Sequence, residues 1–519
     1  MSSDMRIGGL ASGMDIDKIV GDLMKAERMP LNKMEQEKTW TTWQRDAYRD
    51  MNKKFFELKN MAFDMKLERT FNSKTTSSTN ESAVTATATA SSSNGSYNIQ
   101  VDQLATAAIN TSRAPVSADS GDKIDPTKSL SSQESKFANA LNLDDFTIET
   151  YNEDGTVNSK TFQIDSSMSL NDVFKKINDS DLGVRAFYDK QADKVVMERT
   201  QTGDFNTDST RFRGAEIGFD GTTAKFLTNT LGVWNAKQKA DGSWVKAEQG
   251  GTDAQFTYNN ALTINSHDNN YTLNGITFEF KNTTQQNATI SVNNDVDSAL
   301  EKITKFVDKY NKVIESANEQ VNEKRYRDYN PLTEKQKESM EEKEIELWNE
   351  KAKSGLLRSD SIIRGTLFDM RSQWYDTVQT GGEFNQLSEI GITTSPNYRD
   401  GGKLLIDEDK LRQALTDNPG DVHKLFASDG TGDQKGIARK IDETLKNAMD
   451  SIENKAGKTT STNSSFMLGR QLNDLDDEIN QFEDRLTQIE DRYWSQFTQM
   501  EKAIQKMNSQ SNYMMQQFG

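Results

Sequence analysis

The most regular hydrophobic pattern in the chain lies at its C-terminal end, between Leu472 and Met514. Apolar side chains recur there at alternating steps of three and four residues, which is the heptad pattern of a coiled coil. One doubled step of four, at Ile489, Tyr493 and Phe497, predicts a local stutter in the supercoil. The pattern predicts one long helix whose apolar seam needs a partner. We expect an assembly or partner interface at Leu472, Leu475, Ile479, Phe482, Leu486, Ile489, Tyr493, Phe497, Met500, Ile504 and Met507.

A second, weaker seam predicts a long helix over residues 31–69. Its apolar and aromatic positions are Leu31, Met34, Thr41, Tyr48, Phe55, Leu58, Ala62 and Met65, but polar Lys38 and Arg45 occupy two seam positions. Such polar residues set register or weaken self-association. An ordinary amphipathic helix in a bundle is an equally good interpretation.

From Ser73 the period changes to two, which predicts β-strands. Asn274-Gly275 predicts a two-residue hairpin turn, and Asp154-Gly155 and Asp241-Gly242 mark two more. Ser169, followed by Asp172, predicts a capped helix between strands. We interpret residues 71–116 with 251–293 as one β domain, and residues 117–250 as a second β-rich unit inserted into it.

The helical period returns at Val296. Further helices, a strand pair around Gly401-Gly402 and two short helices follow before the C-terminal seam. The predicted fold class is therefore α+β and multidomain, with a helical, coiled-coil stalk built from both chain ends and two β-rich head domains inserted between them. The expected boundaries are a flexible N-terminal segment at 1–30, a stalk domain at 31–70 with 294–470, the two β domains at 71–116 with 251–293 and at 117–250, and a coiled-coil segment at 471–519.

Composition narrows the function classes. The chain has 519 residues, a formal net charge of −17 and no cysteine. The acidic balance argues against nucleic-acid binding, and the missing thiols exclude disulfides, cysteine–zinc sites and thiol nucleophiles. The N-terminus lacks the basic and apolar regions of a cleavable secretory signal, and no stretch is apolar enough to span a membrane.

No catalytic constellation emerges from the sequence. The two histidines, His267 and His423, lack ligand spacing to each other. The run Asp429 to Asp433 resembles part of a calcium loop but lacks the closing glutamate of an EF-hand. We therefore expect no enzyme activity, no cofactor and no metal.

The N-terminal stretch carries the most specific sequence motif. Three glycines precede an acidic helix cap, and Ile16, Ile19, Val20 and Leu23 form the predicted apolar face of the following helix. The run Ile7 to Asp17, continued by Leu23 to Leu31, resembles the N-terminal signature of the flagellar filament-cap (hook-associated protein 2) family. The motif residues are Ile7, Gly8, Leu10, Ser12, Gly13 and Asp15. Segments 306–311 and 356–360 match further family signatures, and 162–203 resembles a motif of flagellin outer regions.

The resemblance implies a non-enzymatic assembly protein. Family members form a homo-oligomeric ring at the filament tip, outside the cell, and promote folding and insertion of exported flagellin. The implied partners are further copies of the chain, flagellin, the hook–filament junction protein and an export chaperone, with no nucleic acid and no membrane insertion. Export would proceed through the flagellar channel without a cleaved signal peptide. The alternatives are another axial component, such as a flagellin-like or junction protein, and an adhesin or glycan-active enzyme acting through the outer β domains.

Overall fold

The computed structural model describes residues 12–518, which form two compact units. One, the helical unit, comprises the chain up to Asn72 and again from Val296. The other, the β unit, comprises Ser73–Asp295. Helices from both chain ends pair with each other and β-sheets are inserted between them, so the predicted α+β class is confirmed. The finer division into five domains stays a prediction.

The helices follow the predicted apolar periods closely, with one in the β unit and the rest in the helical unit. Their bounds are α1 (Ile16–Glu27), α2 (Met29–Asp64), α3 (Glu68–Phe71), α4 (Leu170–Asn178), α5 (Val296–Asn322), α6 (Glu334–Lys337), α7 (Glu342–Ala352), α8 (Ser361–Gln373), α9 (Glu408–Asp417), α10 (Pro419–Ala427), α11 (Ile437–Ala456) and α12 (Met467–Phe518).

The long helix α2 packs against several other helices of the helical unit. Its buried residues largely match the predicted seam, with Met51 added, and they face α5, α11 and α12. Helix α11 is absent from the sequence interpretation, although Ile441, Leu445 and Ile452 are fully buried at helical spacing. This helix supplies much of the apolar surface that covers α2, since both helices contribute to the same core.

A buried polar network ties three of these helices together. Asp360 caps α8 through the backbone N–H groups of Ile362 and Ile363, at 3.1 and 3.0 Å from its Oδ1. Its other oxygen accepts hydrogen bonds from the Tyr48 hydroxyl of α2 and from Lys455 Nζ of α11, the latter at 3.1 Å. Burial raises the pKa of Tyr48, and the bond to Asp360 adds to the shift. The network fixes the register of α2, α8 and α11.

The strands of the β unit and of one small hairpin in the helical unit have the following bounds: β1 (Lys74–Ser78), β2 (Val84–Ala88), β3 (Gly95–Gln103), β4 (Ala107–Thr111), β5 (Phe146–Tyr151), β6 (Val157–Phe162), β7 (Val184–Asp189), β8 (Lys194–Thr202), β9 (Ala236–Gln238), β10 (Trp244–Lys246), β11 (Ala254–Tyr258), β12 (Leu262–Ser266), β13 (Asn270–Leu273), β14 (Ile276–Phe280), β15 (Ala288–Asn294), β16 (Ile392–Thr394) and β17 (Leu404–Ile406).

Two sheets share one core at the base of the β unit. Their strand orders are β1-β15-β3-β11-β12 and β13-β14-β2. The predicted Asn274-Gly275 turn is confirmed: both residues have positive φ, and Leu273 pairs with Ile276. A β-branched residue would be strained at either position, which is why the turn has this sequence.

A second core fills residues 116–233. It is formed by the hairpin β5-β6, strands β7 and β8 of the sheet β4-β8-β7, and helix α4, whose Ser169–Asp172 capping box is confirmed. Strand β4 pairs with β8 of the inserted segment. The chain therefore passes from the first pair of sheets to the sheet of the inserted segment before Ala107. The sequence interpretation placed this boundary at residue 116. The short strand β4 carries no signal of its partner, because the pairing is set by residues nearly a hundred positions away.

The highly charged stretch after Pro331 forms two helices, α6 and α7. Each begins at its own capping box, at Thr333 with Gln336 and at Glu341 with Glu344. Across residues 12–518 we find no helix with the length and apolarity to cross a membrane.

Candidate assembly interface

The N-terminal motif opens a helix that packs against the C-terminal seam. Gly13, just before α1, has φ of +73°, a conformation that L side chains rarely adopt. Asp15 then caps α1, its Oδ1 accepting from the Lys18 N–H at 3.0 Å. Ser12, Gly13 and Asp15 thus set the start of the helix, whereas motif residues Ile7, Gly8 and Leu10 lie outside the described residues.

The buried face of α1 is rotated relative to the prediction. Ile16, Val20 and Met24 are buried, whereas Leu23, expected on this face, is 38% exposed. The observed spacing of four and four residues follows a stripe along one side of a 3.6-residue helix. That stripe faces α12.

Burial along α12 falls from its start to its end. Leu472, Leu475 and Leu486 are buried, and Ile479, Phe482, Ile489, Tyr493, Phe497, Met500 and Ile504 are half-buried. Met507 is 65% exposed, and Tyr513, Met514 and Met515 beyond it are similarly exposed. The predicted seam is therefore continuous as a helix but covered only over its first two-thirds.

Helices α1 and α2 of the same chain cover this part of α12. Leu486 packs with Ile16, Val20, Met24 and Leu31 in one apolar cluster, which Ile479, Phe482, Ile489, Tyr493 and Phe497 extend. The predicted seam needs a partner, and between Ile479 and Phe497 the same chain supplies it. The sequence could not reveal this pairing, because α1 lies more than 450 positions away.

Trp494 joins the cluster although it lies outside the predicted seam. The stutter explains its inclusion: an inserted step of four rotates the apolar stripe, so a position next to Tyr493 turns inward. The doubled step in the sequence was the signal that could have identified Trp494.

Polar contacts fix how the helices align. The Tyr493 hydroxyl donates to Glu27 Oε1 at 2.9 Å, and this bond raises the pKa of Tyr493. The Ser12 hydroxyl donates to Glu501. Since rising numbers in α1 meet falling numbers in α12, the two helices run antiparallel.

Lys38, one of the two polar residues in the α2 seam, pairs with Asp476 of α12. The other, Arg45, pairs with its neighbour Asp46. Near Lys38, burial raises the pKa of Glu35, and the carboxylate of Glu483 on α12 adds to the shift. Of the two polar seam positions, Lys38 therefore contacts α12 through an ion pair, whereas Arg45 forms its ion pair within α2.

The described residues show structural roles for both histidines. His267 Nδ1 lies 2.7 Å from Asp253 Oδ1, and His423 Nε2 lies 3.3 Å from the Lys66 carbonyl oxygen. Between residues 12 and 518, no three His, Cys, Asp or Glu side chains are grouped so as to hold a metal ion. The contacts described among α1, α2 and α12 are apolar packing, hydrogen bonds and an ion pair within the chain.

Comparison with protein families matches most of the chain. A model described as the flagellar hook-associated protein 2 C-terminus matches residues 251–509, and one described as its N-terminus matches residues 12–108. A flagellin hook IN motif model matches residues 145–201. The matched ranges include α1, α2 and most of α12.

Whole-length relatives have the same description. Flagellar hook-associated protein 2 of Halalkalibacterium halodurans is 41% identical over 98% of this chain and 98% of its own length. A-type flagellar hook-associated protein 2 of Pseudomonas aeruginosa is 26% identical over 99% of this chain and 98% of its own. The crystal structure of three domains of the flagellar cap protein FliD from Escherichia coli shares the fold, with a TM-score of 0.56, 20% identity, and 83% and 99% of the two chains covered.

Proposed function

The chain belongs to the flagellar hook-associated protein 2 family, and from this premise we propose that it promotes folding and insertion of flagellin at the growing end of the filament. The family assignment establishes a cap protein at the filament tip, outside the cell, with a structural rather than catalytic role. The observation that carries it is identity of 41% along nearly the whole of both chains.

Within that role, we assign the assembly interface to the two chain ends. Two features support this: α1 and α12 are held together by the cluster around Leu486, and α12 continues past that cluster with its apolar residues exposed. An exposed apolar stripe on a helix is an anchoring surface for another helix. The exposed end of the seam, from Met507 onward, would therefore anchor the cap to axial subunits, and the covered part between Leu472 and Phe497 would hold α1 in place.

We infer the binding partners of the chain from the exposed end of α12. We propose further copies of this chain, flagellin and the hook–filament junction protein as partners at the tip, and an export chaperone that covers the exposed end of α12 before secretion. Attachment to host surfaces through the inserted β segment stays a prediction, as does the passage through the flagellar channel.

The test is filament growth in a cap-deficient strain that expresses this chain. We expect the unmodified chain to restore filaments. Leu486→Asp with Ile489→Asp should abolish growth and release flagellin into the medium, because each charge would be buried in an apolar cluster. Gln481→Asp with Gln488→Asp is the matched control, since both residues are exposed on the other side of α12.

A chain that is secreted and folded but restores no filament would refute the proposed role in flagellin insertion. Normal filaments from the Leu486→Asp, Ile489→Asp variant would instead refute the assignment of the interface to the seam. The two failures are thus distinguishable.

A further inference from the structure

Residues 323–359 form an arm that leaves the helical core and returns to the same point. The Ser359 N–H donates to the Val321 carbonyl oxygen at 2.9 Å, so the arm begins and ends within one hydrogen bond. Helices α6 and α7 lie inside it. The arm is therefore an addition to the bundle rather than a connection the bundle needs.

Cation–aromatic contacts hold the arm rigidly on α2. The Arg325 guanidinium lies 3.9 Å from the Trp40 ring centre, and Lys353 Nζ lies 5.2 Å from that of Trp43. Inside the arm, Trp348 Nε1 donates to the Asn330 carbonyl oxygen at 2.7 Å. One side of the arm thus contacts α2 through these cation–aromatic pairs, and the opposite side faces solvent.

The outward side of α7 is acidic around one apolar residue. Glu342, Glu346 and Glu350 are exposed at steps of four residues, and none forms an ion pair with another described residue. Leu347, beside them, is 55% exposed. The cations of α7 are Lys343 and Lys351, and Lys351 Nζ lies 4.8 Å from the Tyr329 ring centre. Like charges four residues apart destabilise a helix by a few tenths of a kcal/mol per pair. We call this surface the acidic face.

A groove of opposite charge lies between α2 and α5. It encloses about 510 Å³ and contains four lysines, Lys53, Lys54, Lys309 and Lys312, against two carboxylates, Asp50 and Glu57. Lys309 pairs with Glu57, and Lys54 binds the Ser316 hydroxyl. Lys53 and Lys312 are exposed and form no ion pair with a described residue. We call this surface the lysine groove.

A concentration of unneutralised lysines is unusual in a chain whose net charge is −17. It is a surface that attracts an acidic partner and repels the rest of the acidic chain. The arm cannot fill its own groove, because its inward side is fixed on α2 by Trp40 and Trp43, upstream of the groove residues, while the acidic face points to solvent.

We propose that the acidic face of one copy seats in the lysine groove of a second copy, with Leu347 against the apolar floor at Val313. The two surfaces differ, so the contact is head-to-tail, and head-to-tail contacts generate rings or open chains rather than closed pairs. The inference deepens the proposed function, on which it rests for the presence of several copies at one tip. It assigns the copy–copy contact to the helical unit.

Charge reversal tests the contact on the full chain by sedimentation velocity. Lys53→Glu with Lys312→Glu should weaken self-association at least tenfold, and so should Glu346→Lys with Glu350→Lys, since like charges then face each other. Mixed together, the two variants should associate again, because every groove then meets an arm of opposite charge. Lys237→Glu with Lys239→Glu, exposed in the β unit, changes the net charge equally and should leave association unchanged.

A second readout uses the absence of natural cysteine. A chain with Leu347→Cys and Lys312→Cys should form a ladder of disulfide-linked multimers, whereas either single variant should give no ladder. Reversed variants that associate as well as the unmodified chain, a mixture that fails to reassemble, or a Leu347→Cys chain that forms dimers by itself would each overturn the proposal. These assays need no filament, so their outcome is independent of the complementation test.

Discussion

Glu216 is a buried carboxyl group whose ionisation should be visible in the stability of the β unit. Its side chain is fully buried, and Oε1 accepts from the Phe205 and Asn206 N–H groups at 2.8 and 2.7 Å. Burial raises the pKa of Glu216 to about 7, against the opposing effect of these two hydrogen bonds, and the nearby Glu248 carboxylate raises it further. The group therefore titrates near neutrality in the folded chain.

The sign of the effect follows from proton linkage. Between the ordinary pKa of 4.5 and about 7, the unfolded chain loses the proton of Glu216 while the folded chain keeps it. Stability should therefore fall as pH rises through this window and stay low above it. Since each unit of pKa corresponds to about 1.4 kcal/mol, the loss between pH 5 and pH 8 is about 2 to 3 kcal/mol.

Hydrogen exchange of peptides covering residues 203–219 measures the local free energy of opening. Comparison of the unmodified chain with Glu216→Gln at each pH cancels the intrinsic pH dependence of exchange. The difference between the two should change by about 2 to 3 kcal/mol from pH 5 to pH 8, because an amide does not titrate there. Glu134→Gln, at an exposed position of the same unit, is the control. A difference that is independent of pH would refute the reasoning.

Other expectations concern the helical unit and the separation of the two units. Leu486→Asp with Ile489→Asp should increase exchange in α1 while leaving the β unit protected, as measured by hydrogen exchange along the chain. Tyr48→Phe should destabilise the helical unit by about 1 to 3 kcal/mol in chemical unfolding, because it removes a hydrogen bond to a buried carboxylate. A peptide of residues 31–69 should remain monomeric in sedimentation at micromolar concentration, since polar Lys38 and Arg45 interrupt its apolar seam. Residues 73–295 alone should unfold cooperatively with a β-type circular dichroism spectrum; a disordered product would contradict the separation.

Local patterns in the sequence were sufficient for elements whose signal is periodic or stereochemical. The uninterrupted seam predicted α12, and the Asn274-Gly275 turn and Ser169 cap were found where expected. Each depends on residues a few positions apart, which share one helix face or one turn.

Pairings between distant segments could not be predicted in this way. Arg325 stacks on Trp40 across nearly three hundred positions, and β4 pairs with β8 rather than with its neighbours. Helix α11 was not predicted although its apolar spacing is regular, and its place in the core is set by its packing against the distant helix α2. The α12 seam shows the same limit: its spacing predicted the helix, but its contact with α1 could not be read from that spacing.

The inserted segment leaves and rejoins the base sheets at adjacent backbone atoms. The Thr106 N–H donates to the Thr252 carbonyl oxygen at 2.9 Å, and the two residues form an antiparallel bridge. Whatever is spliced between these two threonines leaves the base strands the same distance apart. An insertion, deletion or replacement between Thr106 and Thr252 should therefore leave the core of these two sheets unaltered, because the bridge holds the two ends of the segment together.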